Sequence, residues 1–253
     1  MLASSFVYVG LVIAVAGAIG VVKPIRRLGL PTRLRALAVG GAGAALMAIG
    51  LVLPVSESHV ARAESRLDDY APVWQFNEVH TRRIAAPPAE VYDAIKRVRA
   101  DEIAFFRLLT WIRRGGRPLP ESILNAGTRE SLIAVALREG FVSLADDPPR
   151  ELVVGTVVDA PPGTRGRLTP QVFQRTLPPG FSLATMNFRV TPDGANGSLV
   201  TTETRVFANS PSARRRFTAY WRLIYPGSAI IRMMWLRAIE RRAVAAPKEA
   251  EWR

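Results

Sequence analysis

Ionisable side chains recur at every second position in two stretches that read as β-strands, and they are the first candidates for chemistry. Successive side chains of a strand point to opposite faces, so residues two apart share a face. In the first stretch, one face carries Trp74, Phe76, Glu78, His80 and Arg82. In the second stretch, one face carries Leu199, Thr201, Glu203, Arg205 and Phe207.

These groups support two kinds of function and one structural alternative. His80 beside Glu78 or Glu203 could act as a general acid or base near neutral pH, so these three are weak catalytic candidates. Glu203 and Arg205 could instead orient the polar head of a ligand, the arginine through forked hydrogen bonds. Alternatively both polar faces point to solvent, because antiparallel sheets commonly keep one wet face. In that case the core is lined by Val200, Thr202, Thr204 and Val206.

The composition excludes most metal and nucleophile chemistry. The 253 residues contain no cysteine and two histidines, which rules out thiolate nucleophiles, disulfides and cysteine-ligated metals. The sequence has no Ser/His/Asp arrangement, phosphate loop or HExxH motif, and no acidic cluster spaced for an all-oxygen metal site. We therefore predict no metal, no cofactor and no assigned catalytic residue.

The net charge of +13 does not by itself indicate a nucleic-acid partner. Of the 34 basic residues 31 are arginine, which beside abundant alanine is typical of a composition bias. Ten basic and three acidic residues lie from Pro211 onward. A basic final helix could dock a protein partner or anionic headgroups. No recognition motif appears, so we predict no nucleic acid, and no particular protein partner is indicated.

Two uncharged stretches near the N-terminus are long enough to cross a bilayer. Residues 3–22 and 36–55 each contain 20 residues, and a helix needs about 20 to span the hydrocarbon core. The connection Lys23–Arg35 carries five basic residues, which the positive-inside rule keeps in the cytoplasm. Both chain ends are then extracytoplasmic. A secretory signal peptide is the alternative for the first stretch, but no charge precedes Lys23.

Small residues mark a packing face on each predicted span. They recur every four positions at Gly10, Ala14 and Ala18 and at Ala36, Gly40, Ala44 and Ala48. Such ridges let helix backbones approach closely in lipid. No ionisable residue lies inside either stretch, which argues against a transport pathway. We predict a tight two-helix hairpin over residues 1–56.

The rest of the chain is predicted as a linker, 57–72, one folded domain, 73–245, and a polar tail, 246–253. A strand over 73–84 leads to a helix after Pro87, and Asp101 is the expected N-cap of a second helix. The apolar stripe of that second helix is Ile103, Phe106, Leu109 and Ile112. The stretch 131–140 fits a helix or a strand equally. Four further strands are FVSLA, ELVVGTVVD, FSLATMNFRV and SLVTTETRVF.

A long amphipathic helix comes last and begins at Ser210-Pro211, an N-cap followed by proline at the first helical position. Pro226-Gly227 interrupts its apolar stripe, so a kink or break is expected there. If a cavity lies under that point, its lining residues are Tyr220, Trp221, Ile224 and Ile231. The alternative is that this aromatic cluster is ordinary core.

The order of elements, with APPAEVYDAI after the first strand, resembles the START-like (SRPBCC) superfamily of polyketide cyclases and lipid-transport proteins. The resemblance covers roughly residues 74–243 and includes GFVSLADDPPRELVVGTV, TTETRV and RRRFTAYWRLIYPGSAIIR, stretches similar to those of bacterial members. It implies an α+β helix-grip fold, in which an antiparallel sheet wraps the last helix and encloses an apolar cavity. It further implies a lipid, sterol, polyketide or similar ligand. Most soluble relatives lack membrane spans, so residues 1–56 are a departure.

We therefore expect a bilayer-anchored domain that binds a hydrophobic small molecule or lipid without catalysis. Two alternatives stay open. One is a cyclase- or dehydratase-type enzyme that acts on a hydrophobic substrate through His80. The other is a membrane-tethered scaffold.

Overall fold

A computed structural model describes residues 2–24, 29–164, 166 and 168–245. The predicted tail 246–253 lies outside the described residues, as do Arg26 and Arg27 of the predicted basic loop. The chain divides into two compact units. Unit 1 is Met1–Val55 with Arg215–Tyr225, and unit 2 is Ser56–Arg214 with Pro226–Arg253.

Unit 1 contains the two apolar helices, α1 (Leu2–Val22) and α2 (Arg33–Val52). Both are long and apolar enough to cross a membrane, and most of their residues are not buried, which is unusual for core helices of a soluble protein. Helix α2 starts and ends three residues before the predicted 36–55. Thr32 caps its start by accepting a hydrogen bond from the Arg35 amide at 3.3 Å, and Pro54 follows its end.

The two helices touch backbone to backbone. A Cβ on Gly17 would lie 2.4 Å from the Gly40 Cα, and one on Gly43 would lie 2.4 Å from the Ala14 backbone nitrogen. The predicted four-residue ridges are only partly right, because Ala18, Ala44 and Ala48 are exposed while Gly17, Gly43 and Gly50 are buried. A contact along a whole helix pair alternates steps of three and four, since a strict four-residue step drifts around the helix.

Replacing Gly43 by alanine should weaken the hairpin, because its Cβ would meet backbone atoms that cannot move aside. Gly41→Ala is the matched control, since nothing lies within 4 Å of its Cβ. We expect Gly43→Ala to cost about 1–3 kcal/mol of helix–helix association. Spin labels at Val9→Cys and Ile49→Cys, in this cysteine-free chain, report dissociation during titration with a denaturing detergent. Equal midpoints for the two alanine variants would contradict this packing.

Unit 2 is built on a five-stranded antiparallel sheet of order β3-β7-β6-β5-β4. Its strands are β3 (Phe76–Ile84), β4 (Val142–Asp147), β5 (Glu151–Asp159), β6 (Ser182–Pro192) and β7 (Ser198–Ala208). Two short strands, β1 (Ser58–His59) and β2 (Val73–Trp74), pair separately. The helices are α3 (Arg66–Tyr70), α4 (Pro88–Arg97), α5 (Phe106–Arg113), α6 (Leu132–Arg138) and α7 (Pro211–Ala245), the last without its segment Arg215–Tyr225, which belongs to unit 1.

The main core lies between one face of the sheet and helices α4 to α7. The C-terminal part of α7 contributes Trp235, Leu236 and Ile239, which join Phe188 of β6 and Val200 of β7 in one buried cluster. Phe188 and Trp235 meet edge to face with ring centroids 4.9 Å apart. The predicted α+β fold with a helix-grip arrangement is thereby confirmed. The opposite face of the sheet is also covered, by α3 and a smaller apolar cluster that includes Leu67 and Phe173.

The structure corrects three local predictions, the Asp101 cap, the stripe at Ile112 and the break at Pro226, and settles one that was open. Asp101 does not cap a helix; it lies in a 3-10 turn, and α5 begins only at Phe106. Ile103, Phe106 and Thr110 form the buried side of this region, whereas Ile112 of the predicted stripe is exposed. The ambiguous stretch 131–140 is helical because Ser131 caps α6 through its side chain. Helix α7 continues through Pro226 without a break.

The packing of α7 on the sheet predicts a sharp contrast between two positions one turn apart. Leu236 is 1% exposed and Met233 is 42% exposed. Leu236→Ala should lower the free energy of unfolding by about 2–5 kcal/mol, whereas Met233→Ala should change it by less than about 0.5 kcal/mol. Chemical unfolding of the full chain in detergent, followed by circular dichroism, measures both. Similar losses would mean that α7 does not pack on the sheet through this face.

Candidate functional site

A polar cluster interrupts the apolar layer between the sheet and α7. Even-numbered residues of β3 face this layer, and Glu78, only 2% exposed, lies there opposite Thr204 of β7. The Nε2 atom of His80 lies 2.8 Å from Oε1 of Glu78. Ser228 of α7 donates a hydrogen bond to the other carboxylate oxygen at 2.8 Å. Both oxygens of this buried carboxylate are thus satisfied within the chain.

Arg232, one helical turn after Ser228, completes what we call the inner cluster: Glu78, His80, Thr204, Ser228 and Arg232. Its Nη2 donates to Oγ1 of Thr204 at 2.9 Å, and its Nη1 contacts the sulfur of Met186. Burial lowers the pKa of Arg232 to about 10, with Glu78 opposing the shift and Arg113 adding to it. Among the described residues no carboxylate forms an ion pair with Arg232. Its guanidinium therefore keeps N–H donors that lack a strong acceptor.

The structure also has an open cleft of about 610 Å³, within the usual size range of small-molecule pockets. It is bounded by α5 and by the loop 121–127, and its wall includes Phe106, Thr110, Trp111 and Arg114. Phe106 belongs to the same buried cluster as Met186 and Trp235. The positive charge of Arg113, on α5, is near enough to lower the pKa of Arg232. The cleft wall therefore belongs to the same core as Met186 and Trp235, which contact Arg232, but no inner-cluster residue is among the described residues that line the cleft.

Glu203 and Arg205 lie on the other face of the sheet, away from α7. Arg205 donates to Oδ1 of Asp68 at 2.6 Å and to Oε1 of Glu203 at 2.7 Å, and its guanidinium stacks over Trp74 at 4.1 Å from the ring centroid. The proposed pairing of His80 with Glu203 is therefore not formed. The prediction that Trp74 shares a face with Glu78 is wrong. Gln75 separates β2 from β3, so the alternation of side chains between the two faces does not run on from Trp74 into β3.

This outer network fastens α3 to the sheet. Glu151, which is buried, accepts hydrogen bonds from the Arg66 amide at 2.8 Å and from the Asn187 side chain at 2.6 Å. All these groups have partners within the chain, so the network has the character of a structural tie. The face that was expected to be wet is instead covered by the linker helix.

The predicted lining residues fall into two groups. Tyr220, Trp221 and Ile224 belong to unit 1, where Trp221 lies 5.9 Å from the rings of Phe217 and Tyr225. Ile231 belongs to unit 2 and packs against the main core. As ligand contacts, all four stay predictions, as do Glu203 and Arg205.

Ser228, Thr204 and Arg232 are inner-cluster residues that the sequence reasoning missed as site residues. The available signal was the position of Arg232, which falls between Ile231 and Trp235 on the apolar stripe of the last helix. A cation on a buried stripe is expensive unless something compensates for its charge. In the described part of the chain, no three His, Asp or Glu side chains gather as a metal-ligand set.

Comparisons with known proteins yield structural neighbours only. No protein-family model matches the chain, and no curated protein does. A protein from Mesorhizobium loti has 17% identity and a TM-score of 0.33, over 68% of this chain and 98% of that chain. A conserved protein from Geobacillus kaustophilus has 12% identity and a TM-score of 0.33, over 67% and 95%. An aromatase/cyclase from Streptomyces sp. R1128 has 14% identity and a TM-score of 0.28, over 68% and 98%.

Values this low assign no family and no activity to the chain. The five-stranded antiparallel sheet and the long final helix are nevertheless those that the START-like resemblance implied. The resemblance therefore holds at the level of the fold.

The outer network predicts a pH dependence that is specific to Asp68. Burial raises the pKa of Asp68, but hydrogen bonds from the Glu64 amide, Arg205 and Ser65 outweigh it, so the pKa lies below the ordinary value of 3.8. Since the unfolded chain takes up this proton first, the stabilisation is present above pH 3.8 and is lost as the pH falls through the folded-state pKa.

Asp68→Asn should therefore lower the free energy of unfolding by about 1.5–3 kcal/mol near pH 7, and this difference should shrink in acid. Asp69→Asn, at the exposed neighbouring carboxylate, is the control and should show a smaller loss. Denaturant titrations of the full chain in detergent at several pH values measure both. If the loss in free energy of unfolding caused by Asp68→Asn does not change with pH, the proposed stabilisation by the ionised Asp68 carboxylate is wrong.

Proposed function

We propose that this protein is a membrane-anchored helix-grip domain that binds a hydrophobic small molecule or lipid without chemically changing it. The observation that carries the proposal is Arg232, whose guanidinium is partly buried in the apolar layer. Among the described residues, its hydrogen-bond acceptors are only a hydroxyl and a thioether. A ligand with an acidic or carbonyl head would supply the missing acceptor.

The cleft beside α5 favours an amphiphile over a fully polar ligand. Its wall combines buried apolar side chains such as Phe106 and Ala126 with polar ones such as Arg114 and Glu121. Apolar walls with a few convergent polar groups are typical of sites that fix the orientation of a hydrophobic molecule. We expect the head to contact Arg232 and the tail to occupy the cleft beside α5.

The anchor in this proposal is the hairpin of α1 and α2. Its length and apolar composition support two membrane spans. The basic residues of the connection Lys23–Arg35 favour a cytoplasmic loop, which leaves the ligand-binding domain extracytoplasmic.

A second candidate function, catalysis, is favoured by the contact between His80 and Glu78. A buried carboxylate that accepts a hydrogen bond from an imidazole fixes the orientation of the ring, which is the arrangement of a general acid or base. A cyclase- or dehydratase-type enzyme would lose turnover with His80→Ala and keep ligand affinity. A binding protein has no turnover to lose.

The proposal is tested with a matched pair of ligands and a matched pair of variants. The full chain in detergent is titrated with oleate and with oleyl alcohol, and binding is followed by native mass spectrometry. We expect saturable binding with a preference for oleate, and Arg232→Gln should reduce oleate affinity about 10- to 100-fold, as expected for a charge-assisted hydrogen bond. Oleyl alcohol affinity should change much less.

Arg237→Gln is the control, since Arg237 is an exposed arginine on the same helix. It should bind both ligands like the unmodified chain. Absence of saturable binding of either ligand, or equal oleate affinity for the two variants, would refute the proposal. Thermal unfolding of each variant separates a binding defect from loss of the fold.

A further inference from the structure

Helix α5 presents an apolar face to the outside of unit 2. Phe105, Leu108, Trp111 and Ile112 are each more than half exposed. Positions 105, 108 and 112 follow helical spacing, and Trp111 adjoins them. The other side of the same region is buried through Ile103, Phe106 and Thr110. Four large apolar side chains on one short helix make a patch of the kind that marks an interaction surface.

The backbone at the start of α5 is held in a costly conformation that contributes to this patch. Phe105 has a φ of 62°, the one positive φ at a non-glycine residue in the described part of the chain. This left-handed conformation is unfavourable for a residue with a side chain. Here it coincides with an aromatic ring that lies in solvent. Burial within the chain offsets neither the strained backbone of Phe105 nor the exposure of its ring. Backbone outliers of this kind cluster at functional sites.

The charge around α5 indicates what covers the patch. Residues 103–120 contain four arginines, at 107, 113, 114 and 117, and no acidic residue. Arg107 and Arg117 are exposed. Exposed tryptophan, phenylalanine and leucine beside arginines are the composition of helices that lie in the interface of an anionic bilayer. A second copy of this chain, with its net charge of +13, offers weaker complementarity to four arginines.

We propose that α5 docks on the surface of an anionic bilayer, with Phe105, Leu108, Trp111 and Ile112 inserted at the boundary between headgroups and acyl chains. The exposed Arg107 and Arg117 then lie at the level of the lipid phosphates. Leu108 and Trp111 also line the cleft, so docking brings the mouth of the cleft to the lipid. The docking itself does not depend on which ligand, if any, the cleft takes.

The experiment uses the full chain, whose lack of cysteine permits single labelling sites. An environment-sensitive dye is attached at Leu108→Cys in nanodiscs of phosphatidylglycerol and phosphatidylcholine, or of phosphatidylcholine alone. Leu137→Cys, an exposed leucine on α6, is the matched control. We expect the dye at 108 to be shielded from an aqueous quencher in the anionic discs, with shielding lost at high salt. The dye at 137 should be quenched in both.

Removing charge should shift the docking equilibrium measurably. Arg107→Gln and Arg117→Gln should each lower the ratio of docked to undocked α5 about fivefold in the anionic discs. The proposal is overturned if the dyes at 108 and 137 are quenched equally in every disc. It is also overturned if shielding at 108 is independent of lipid charge, persists in detergent and rises with protein concentration, which would indicate a second copy. Oleate binding in detergent requires no bilayer surface, so the two proposals can fail separately.

Discussion

The cost of holding ionic groups inside an apolar layer governs the arrangement of unit 2. A buried charge is tolerated only where hydrogen bonds or opposite charges replace water. Glu78 meets this condition, because His80 and Ser228 occupy both of its oxygens. Arg232 meets it less well, since its acceptors among the described residues are a hydroxyl and a sulfur, beside the ring of Trp235 at 5.6 Å and the opposite charge of Glu78. The functional proposal follows from this weaker pairing of Arg232.

The charged groups on the two faces of the sheet have different roles. Those on the outer face stabilise the fold, and those on the inner face form the proposed ligand site. On the outer face, Arg205 has two carboxylate partners and Asp68 accepts hydrogen bonds from several donors, so these groups stabilise the fold. On the inner face, Arg232 has the uncharged partners Thr204 and Met186. The exposed aromatic side chains of α5 form an apolar patch on the surface. Such a patch indicates a binding partner outside the chain.

Much of this architecture could be predicted from the sequence, because alternation and helical spacing are local. The strands around Glu78 and Glu203, the cap at Ser131 and the start of α7 all depend on short-range patterns. Which face of β7 meets α7 could not be predicted, since both faces of that strand are covered and alternation alone does not distinguish them. Local spacing likewise did not predict the change of face at Trp74 or the continuation of α7 through Pro226. In the sequence, Arg232 could be recognised only as a charged residue on the otherwise apolar stripe of the last helix.

A structure of the full chain with a brominated fatty acid bound tests the central claim most directly, because anomalous scattering locates the tail independently of the head. The account predicts carboxylate oxygens about 2.7–2.9 Å from the guanidinium nitrogens of Arg232 and bromine in the cleft beside α5. Bromine elsewhere, or an Arg232 that turns to pair with Glu78 and leaves the ligand head without contact, would contradict it.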